Sequence, residues 1–203
     1  VFYMVSVDVT FMNCMLIGAQ VNGLSITATS ITKSIKFLNS MFLDNHKHDS
    51  HMKNRIMVFR YEDILLQSCT IKLETALSVV KRLLTTGHLD VLKISRCRII
   101  EGIHSDRIGS NHDSISFAFR VNRIFILDSD FQDIDSSVFN ITHVSELVIF
   151  NSTFSNCLSR TSSTLDIFGE SSEHAMRAVF ISSAFIKCGS KFIIFKIMSL
   201  VVP

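Results

Sequence analysis

The chain has 203 residues, with 20 Lys+Arg against 18 Asp+Glu, and its net charge of +2 gives no electrostatic case for nucleic acid or an anionic membrane surface. Hydrophobic residues make up 47% and charged ones 19%, which excludes a disordered chain, and no window of about 18 apolar residues is present to span a membrane as a helix. Seven Gly and one Pro are too few for the frequent turns of a β-sandwich.

From the amino terminus onward, one eight-residue pattern recurs. It reads VTFMNCML from Val9, IKFLNSMF from Ile35, ILLQSCTI from Ile64 and LKISRCRI from Leu92. It continues as IFILDSDF from Ile124, LVIFNSTF from Leu147 and AVFISSAF from Ala178. The order is apolar, any, apolar, any, any, small, any, apolar, and successive copies start 23 to 32 residues apart. The sixth position holds Cys14, Ser40, Cys69, Cys97, Ser129, Ser152 and Ser183. The eighth is apolar in every copy: Leu16, Phe42, Ile71, Ile99, Phe131, Phe154 and Phe185.

The apolar-x-apolar run predicts a strand with alternate side chains on one face. The small residue predicts a tight bend, and the following apolar residue a second inward-facing strand. A third alternating run follows as LSI from Leu24, IMV from Ile56, ISFAF from Ile115, LDI from Leu165 and FII from Phe192. A period near 28 with short strands and no obligatory helix points to an all-β chain, a right-handed parallel β-helix of about seven coils with three short strands each. No LxxLxLxxN ladder supports a leucine-rich repeat. Residues 1–203 read as a single solenoid segment, part of a longer one. The apolar ends VFYMVSVDV and KFIIFKIMSLVVP carry no polar cap, so both are expected to be covered by further coils or protein neighbours.

The regularity breaks after Ile71, where Leu73, Leu77, Val80 and Leu84 recur at helical spacing, with Gly87 as a stop. A short external helix near 74–85 is favoured there, with a strand through LSVV as the alternative. Two loops are rich in polar residues. In the first, His46, His48 and His51 are candidate nitrogen ligands for zinc or copper, against the plainer reading of a solvated loop.

Asp128, Asp130, Asp133 and Asp135 form the most enzyme-like group. In the repeat register, Asp128 and Asp130 flank the inward Ser129 and are expected to face Arg96 and Arg98 of the preceding coil as solvated ion pairs. The five cysteines follow the repeat too. Cys69 stacks with Cys97 and Cys157 with Cys188, and a ladder of small buried thiols is favoured over strained disulfides. Asn140 and Asn151 open Asn-x-Thr glycosylation sequences, and Asn151 is expected to face outward. No cofactor-binding motif is present, so none is expected.

NSTFSNC, from Asn151 to Cys157, resembles the FxxN repeats of polymorphic outer membrane proteins and of right-handed β-helix proteins of many protists. Phe185 to Cys188 is similar to the FxxC form, whereas the small Gly-Gly-Ala-like motif that usually follows is absent. The resemblance implies the pectate-lyase-like β-helix fold and a non-catalytic structural or adhesive role in an extracellular or cell-surface assembly. Two alternatives remain open. One is a lyase or hydrolase of acidic glycans with its groove around Asp128 and Asp130. The other is a carbohydrate-binding adhesin. The signatures of the pectinolytic members are absent, which weighs against an enzyme.

Overall fold

The structure, a computed structural model, describes residues 2–4, 8–17, 24–43, 54–73, 82–86, 88–101, 120–134, 139–157, 165–169, 176–188 and 195–198. Among them every regular element is a strand. The first seven are β1 (Phe2–Met4), β2 (Val9–Met12), β3 (Met15–Ile17), β4 (Leu24–Leu38), β5 (Met41–Leu43), β6 (Asn54–Gln67) and β7 (Thr70–Leu73). Next come β8 (Arg82–Thr86), β9 (His88–Ser95), β10 (Arg98–Glu101), β11 (Arg120–Leu127), β12 (Asp130–Gln132) and β13 (Phe139–Val144). The last six are β14 (Glu146–Phe150), β15 (Thr153–Ser155), β16 (Leu165–Gly169), β17 (Arg177–Ile181), β18 (Ala184–Ile186) and β19 (Phe195–Met198).

These strands make two sheets, one of twelve strands and one of seven, and every pairing is parallel. The first strand of each repeat lies in the larger sheet. Its register runs Val9↔Ile35↔Ile64↔Leu92↔Ile124↔Leu147↔Ala178, so the first position of the pattern stacks through all seven copies. The second strand lies in the seven-stranded sheet, where Leu16, Phe42, Ile71, Ile99, Phe131, Phe154 and Phe185 pair in the same order.

Burial follows the alternation. Ile35 and Phe37, Ile64 and Leu66, Leu92 and Ile94, Ile124 and Ile126, and Leu147 and Ile149 are all buried, as are Phe42, Ile71, Ile99, Phe131 and Phe154 from the other sheet. All belong to one hydrophobic cluster. Each such side chain removed from water contributes about 1.5–3 kcal/mol before the ordering cost of the chain is set against it. Aromatic rings stack directly. The Phe131 and Phe154 centroids are 4.7 Å apart and those of Phe154 and Phe185 4.6 Å, with interplanar angles of 4° and 5°. That spacing is the strand separation itself, close to 4.7–4.9 Å.

The expected helix over 74–85 is corrected in its second half. Arg82–Thr86 is β8, paired in parallel with β6 through Asn54↔Arg82, Ile56↔Leu84 and Val58↔Thr86. Leu84 therefore continues the column Leu24↔Ile56, and cross-strand hydrogen bonding overrides the helical spacing of its apolar neighbours. Residues 74–81 lie outside the described part.

The third runs at Leu24, Ile56 and Leu165 are strands, and they join the larger sheet. After the last repeat the strand is Phe195–Met198, with Leu165↔Phe195, three residues beyond the expected start at Phe192. Residues 115–119 and 192–194 are outside the described part. No helix among the described residues is long and apolar enough to cross a membrane.

Candidate functional site

The bend between the two sheets is the most regular polar feature. Its fifth position carries the left-handed backbone: Asn13, Asn39, Ser68, Arg96, Asp128, Asn151 and Ser182 all have φ between 45° and 56°. Asn and Asp tolerate this conformation better than other non-glycine residues, and they fill four of the seven places. The turn thus belongs to the residue before the small one. The small residue itself points inward. Ser40, Cys69, Cys97, Ser129 and Ser152 are buried at 3% exposure or less.

Ser and Cys suit that place because each offers one short donor. In every copy the sixth side chain donates to the carbonyl two residues earlier: Cys14 to Met12, Ser40 to Leu38, Cys69 to Gln67, Cys97 to Ser95, Ser129 to Leu127, Ser152 to Phe150 and Ser183 to Ile181. The serine hydroxyls also accept from the sixth-position N–H of the preceding copy, as in Cys97 N–H to Ser129 Oγ at 3.2 Å and Ser129 N–H to Ser152 Oγ at 3.1 Å. The fifth- and seventh-position amides bond to neighbouring copies as well, so hydrogen bonding continues around the corner.

A second bend of the same kind follows the short second strand. Asp133, Asn156 and Lys187 have φ of 56°, 56° and 52°, and the next residues are Ile134, Cys157 and Cys188. The sequence alone marks this corner only by Cys157 and Cys188.

The carboxylates singled out from sequence divide between partners. Asp130 faces Arg98 with Nε to Oδ2 at 3.8 Å, as expected, and the Arg98 guanidinium also donates to Gln132 Oε1. Asp128 instead accepts from Asn151 Nδ2 at 2.8 Å, and Asp133 accepts from Asn156 Nδ2 at 2.8 Å. Asn151 is exposed, and the amide nitrogen that glycosylation would modify is the one given to Asp128. Asn140 lies in β13, paired with Asp166. Asp135, His46, His48 and His51 lie outside the described residues.

A third polar group was not legible from the apolar pattern, because it stands one or two residues ahead of the pattern's first apolar position. One column runs Ser34↔Asp63↔Val91↔Arg123↔Glu146↔Arg177, with Asp90, Asn122 and Ser145 beside it. Asp90 takes Arg123 Nη2 on Oδ2 at 2.6 Å and Asn122 Nδ2 on Oδ1 at 2.9 Å, while Ser145 Oγ bonds to the Asn122 side chain. Arg177 lies 3.7 Å from Glu146. The hydrogen bond to Asp90 holds the Arg123 guanidinium charged beyond its ordinary range. Partial burial, then the charges of Asp90 and Glu62, push the Asp63 carboxyl above its usual value despite the pull of Arg123.

All five cysteines are free thiols. A hydrogen bond shared with Cys97 draws Cys69 down to about 7 and drives Cys97 up, and the pair Cys188 and Cys157 behaves alike, with Cys188 at about 7. Among the described residues no group of three or more His, Cys, Asp or Glu is arranged to hold a metal ion. What these polar groups do in common is bind one repeat to the next. No family model, curated protein or solved structure matches the chain.

Proposed function

We propose that the chain is a segment of a right-handed parallel β-helix, about seven coils of three short strands, acting as a non-catalytic structural or adhesive module of a larger extracellular or cell-surface assembly. The observation that carries this reading is where the outward polar side chains spend their hydrogen bonds. Asp128, Asp130, Asp133, Asp90 and Glu146 each take a partner from an adjacent repeat, so they join neighbours along the stack instead of converging on a substrate. The stretches Phe154–Cys157 and Phe185–Cys188, both with a cysteine three residues after the phenylalanine, resemble the repeats of that class. The exposed Met12, Met15, Phe180, Ile181 and Ile186 suit contact with further coils or neighbouring proteins.

The test is incubation of the purified chain with a panel of acidic polysaccharides, read by new reducing ends and by unsaturated uronate. Neither the wild type nor the D128N/D130N variant is expected to cleave any of them. Cleavage by the wild type that the folded double variant loses would establish the lyase or hydrolase reading instead. Binding to immobilised glycan without cleavage would favour the adhesin. An experimental structure showing a left-handed or open stack would overturn the β-helix.

A further inference from the structure

The outward face of the larger sheet changes character along the stack. The first and third positions of the pattern are turned inward, so the second and fourth point out. In the last three copies both outward columns are wholly apolar: Phe125↔Val148↔Val179 and Leu127↔Phe150↔Ile181. Phe150 is 40% exposed and Ile181 46%, and the other four are partly buried. Upstream, Lys36 and Lys93 interrupt the first column and Gln67 and Ser95 the second, which confines the patch to three neighbouring strands. A contiguous apolar patch with a polar rim marks a contact surface.

Its two rims carry unlike charge. Arg123, Glu146 and Arg177 stand on the side ahead of the pattern, and Asp128, Asn151 and Ser182 stand at the bend. A second copy packed sheet to sheet can be related to the first by a two-fold axis along the strands or along the stack. An axis along the strands reverses the order of the repeats and, centred on the Val148 row, sets Arg123 against the partner's Arg177. Like charges then meet on both sides of the patch.

An axis along the stack keeps each repeat level with its own copy and reverses the strands. Val148 then meets the partner's Phe150, and Val179 the partner's Ile181, so each apolar column covers the other. Arg123 comes level with the partner's Asp128. Arg123 stands three residues before Ile126 and Asp128 two residues after it, and the difference of about 3.3 Å is within the length of an arginine side chain. The lysines fit as well, since Lys36 meets the partner's Leu38 and Lys93 the partner's Ser95.

We propose that this face is the interface of a symmetric dimer, two copies of the chain packed sheet to sheet with their strands antiparallel and their repeats level. Such a dimer supplies one partner for the assembly proposed above, yet it rests on strand register alone, so a chain that cleaved glycans would form it too. Three strands and six residues cover about 14 Å by 20 Å, which is small for an interface, and a micromolar dimer is expected.

The experiment is sedimentation velocity on the 203-residue chain from about 1 to 200 μM. The wild type is expected to show a reversible monomer–dimer equilibrium that stops at two copies, because a two-fold interface closes on itself. Val148→Lys gives the patch the residue that the second position already accepts at Lys36 and Lys93, so it should fold, and it should stay monomeric throughout. Phe150→Lys, at an exposed side chain, is a second variant with the same expectation. Asp128→Asn keeps an oxygen to accept from Asn151 and should weaken the dimer about fivefold. Ile186→Lys burdens the last strand of the smaller sheet instead and should dimerise as the wild type does. Circular dichroism checks that each variant folds. A wild type that is monomeric at every concentration would overturn the interface, as would a folded Val148→Lys or Phe150→Lys variant that dimerises normally. Growth beyond two copies that Ile186→Lys stops would place the contact at the ends of the stack, and an Asp128→Asn dimer as tight as the wild type would reject the axis.

Discussion

Asn151 donates from Nδ2 to Asp128 Oδ1 across 2.8 Å, and both residues hold left-handed backbone, with φ of 45° and 49°. The bond links two successive repeats on the outside of the bend, and each residue also suits the conformation that makes the bend. Replacing Asn151 tests both roles. Asn151→Gly keeps the backbone but loses the side-chain bond, at an expected cost of about 0.5–1.5 kcal/mol. Asn151→Val loses the bond and adds about 1–2 kcal/mol of left-handed strain. Urea denaturation should rank wild type, then glycine, then valine. Equal stability of the two variants would show that the backbone at this position is free to relax.

The inner side of the same corner is more demanding. Ser152 is 1% exposed, donates to Phe150 O and accepts from Ser129 N–H. Ser152→Ala strands the buried Ser129 N–H, while Phe150 O keeps the Asp128 N–H, and should cost about 1–3 kcal/mol. Ser152→Cys should cost less, since Cys97 makes the matching bond to Ser95 O in its own copy. Midpoints of chemical denaturation decide it, and a cysteine variant no better than alanine would remove the hydrogen-bond explanation for the Ser/Cys preference.

Much of this architecture was legible before any coordinates. Strand side chains alternate with period two, so Ile35, Ile64, Leu92, Ile124 and Leu147 could be stacked from apolar spacing alone, and the register agrees. The seven Ser/Cys positions were visible for a related reason: a corner crossed by stacked neighbours has room only for small side chains. The left-handed residue before them was not visible, since Arg96 and Ser68 sit there beside the Asn and Asp residues that would have marked it. The Asp90–Arg123 pair was missed because its residues, though inside β9 and β11, stand ahead of the eight-residue apolar pattern. Leu84 misled because its spacing from Leu77 and Val80 fits a helix, while its hydrogen-bonding partner lies 28 residues back at Ile56.

The phenylalanine column should be the largest single source of packing energy that one substitution can remove. Phe154 is fully buried between Phe131 and Phe185. Phe154→Ala should cost about 3–5 kcal/mol through lost transfer energy and the cavity left behind. Phe185→Ala, at a ring that is only half-buried, should cost distinctly less. Denaturant midpoints compare the two, and equal losses would mean that burial does not set the energy each ring contributes.

The column around Asp63 should make stability depend on pH in a definite direction. Burial and the charges of Asp90 and Glu62 raise its carboxyl above the ordinary 3.8, so the folded chain holds that proton more tightly than the unfolded chain. Below the unfolded value Asp63 is neutral in both states, and its favourable contribution is fully present. As pH rises through the raised folded value that contribution is lost, because the folded chain must then carry a charge that its surroundings disfavour. Asp63→Asn removes the titration. The variant should therefore gain on the wild type as pH climbs from about 3 to neutrality and hold that gain above it. Denaturation curves for both proteins across this range supply the check. A gain that shrinks with rising pH would mean that Arg123, already bonded to Asp90 at 2.6 Å, stabilises the Asp63 carboxylate more than its acidic neighbours oppose it.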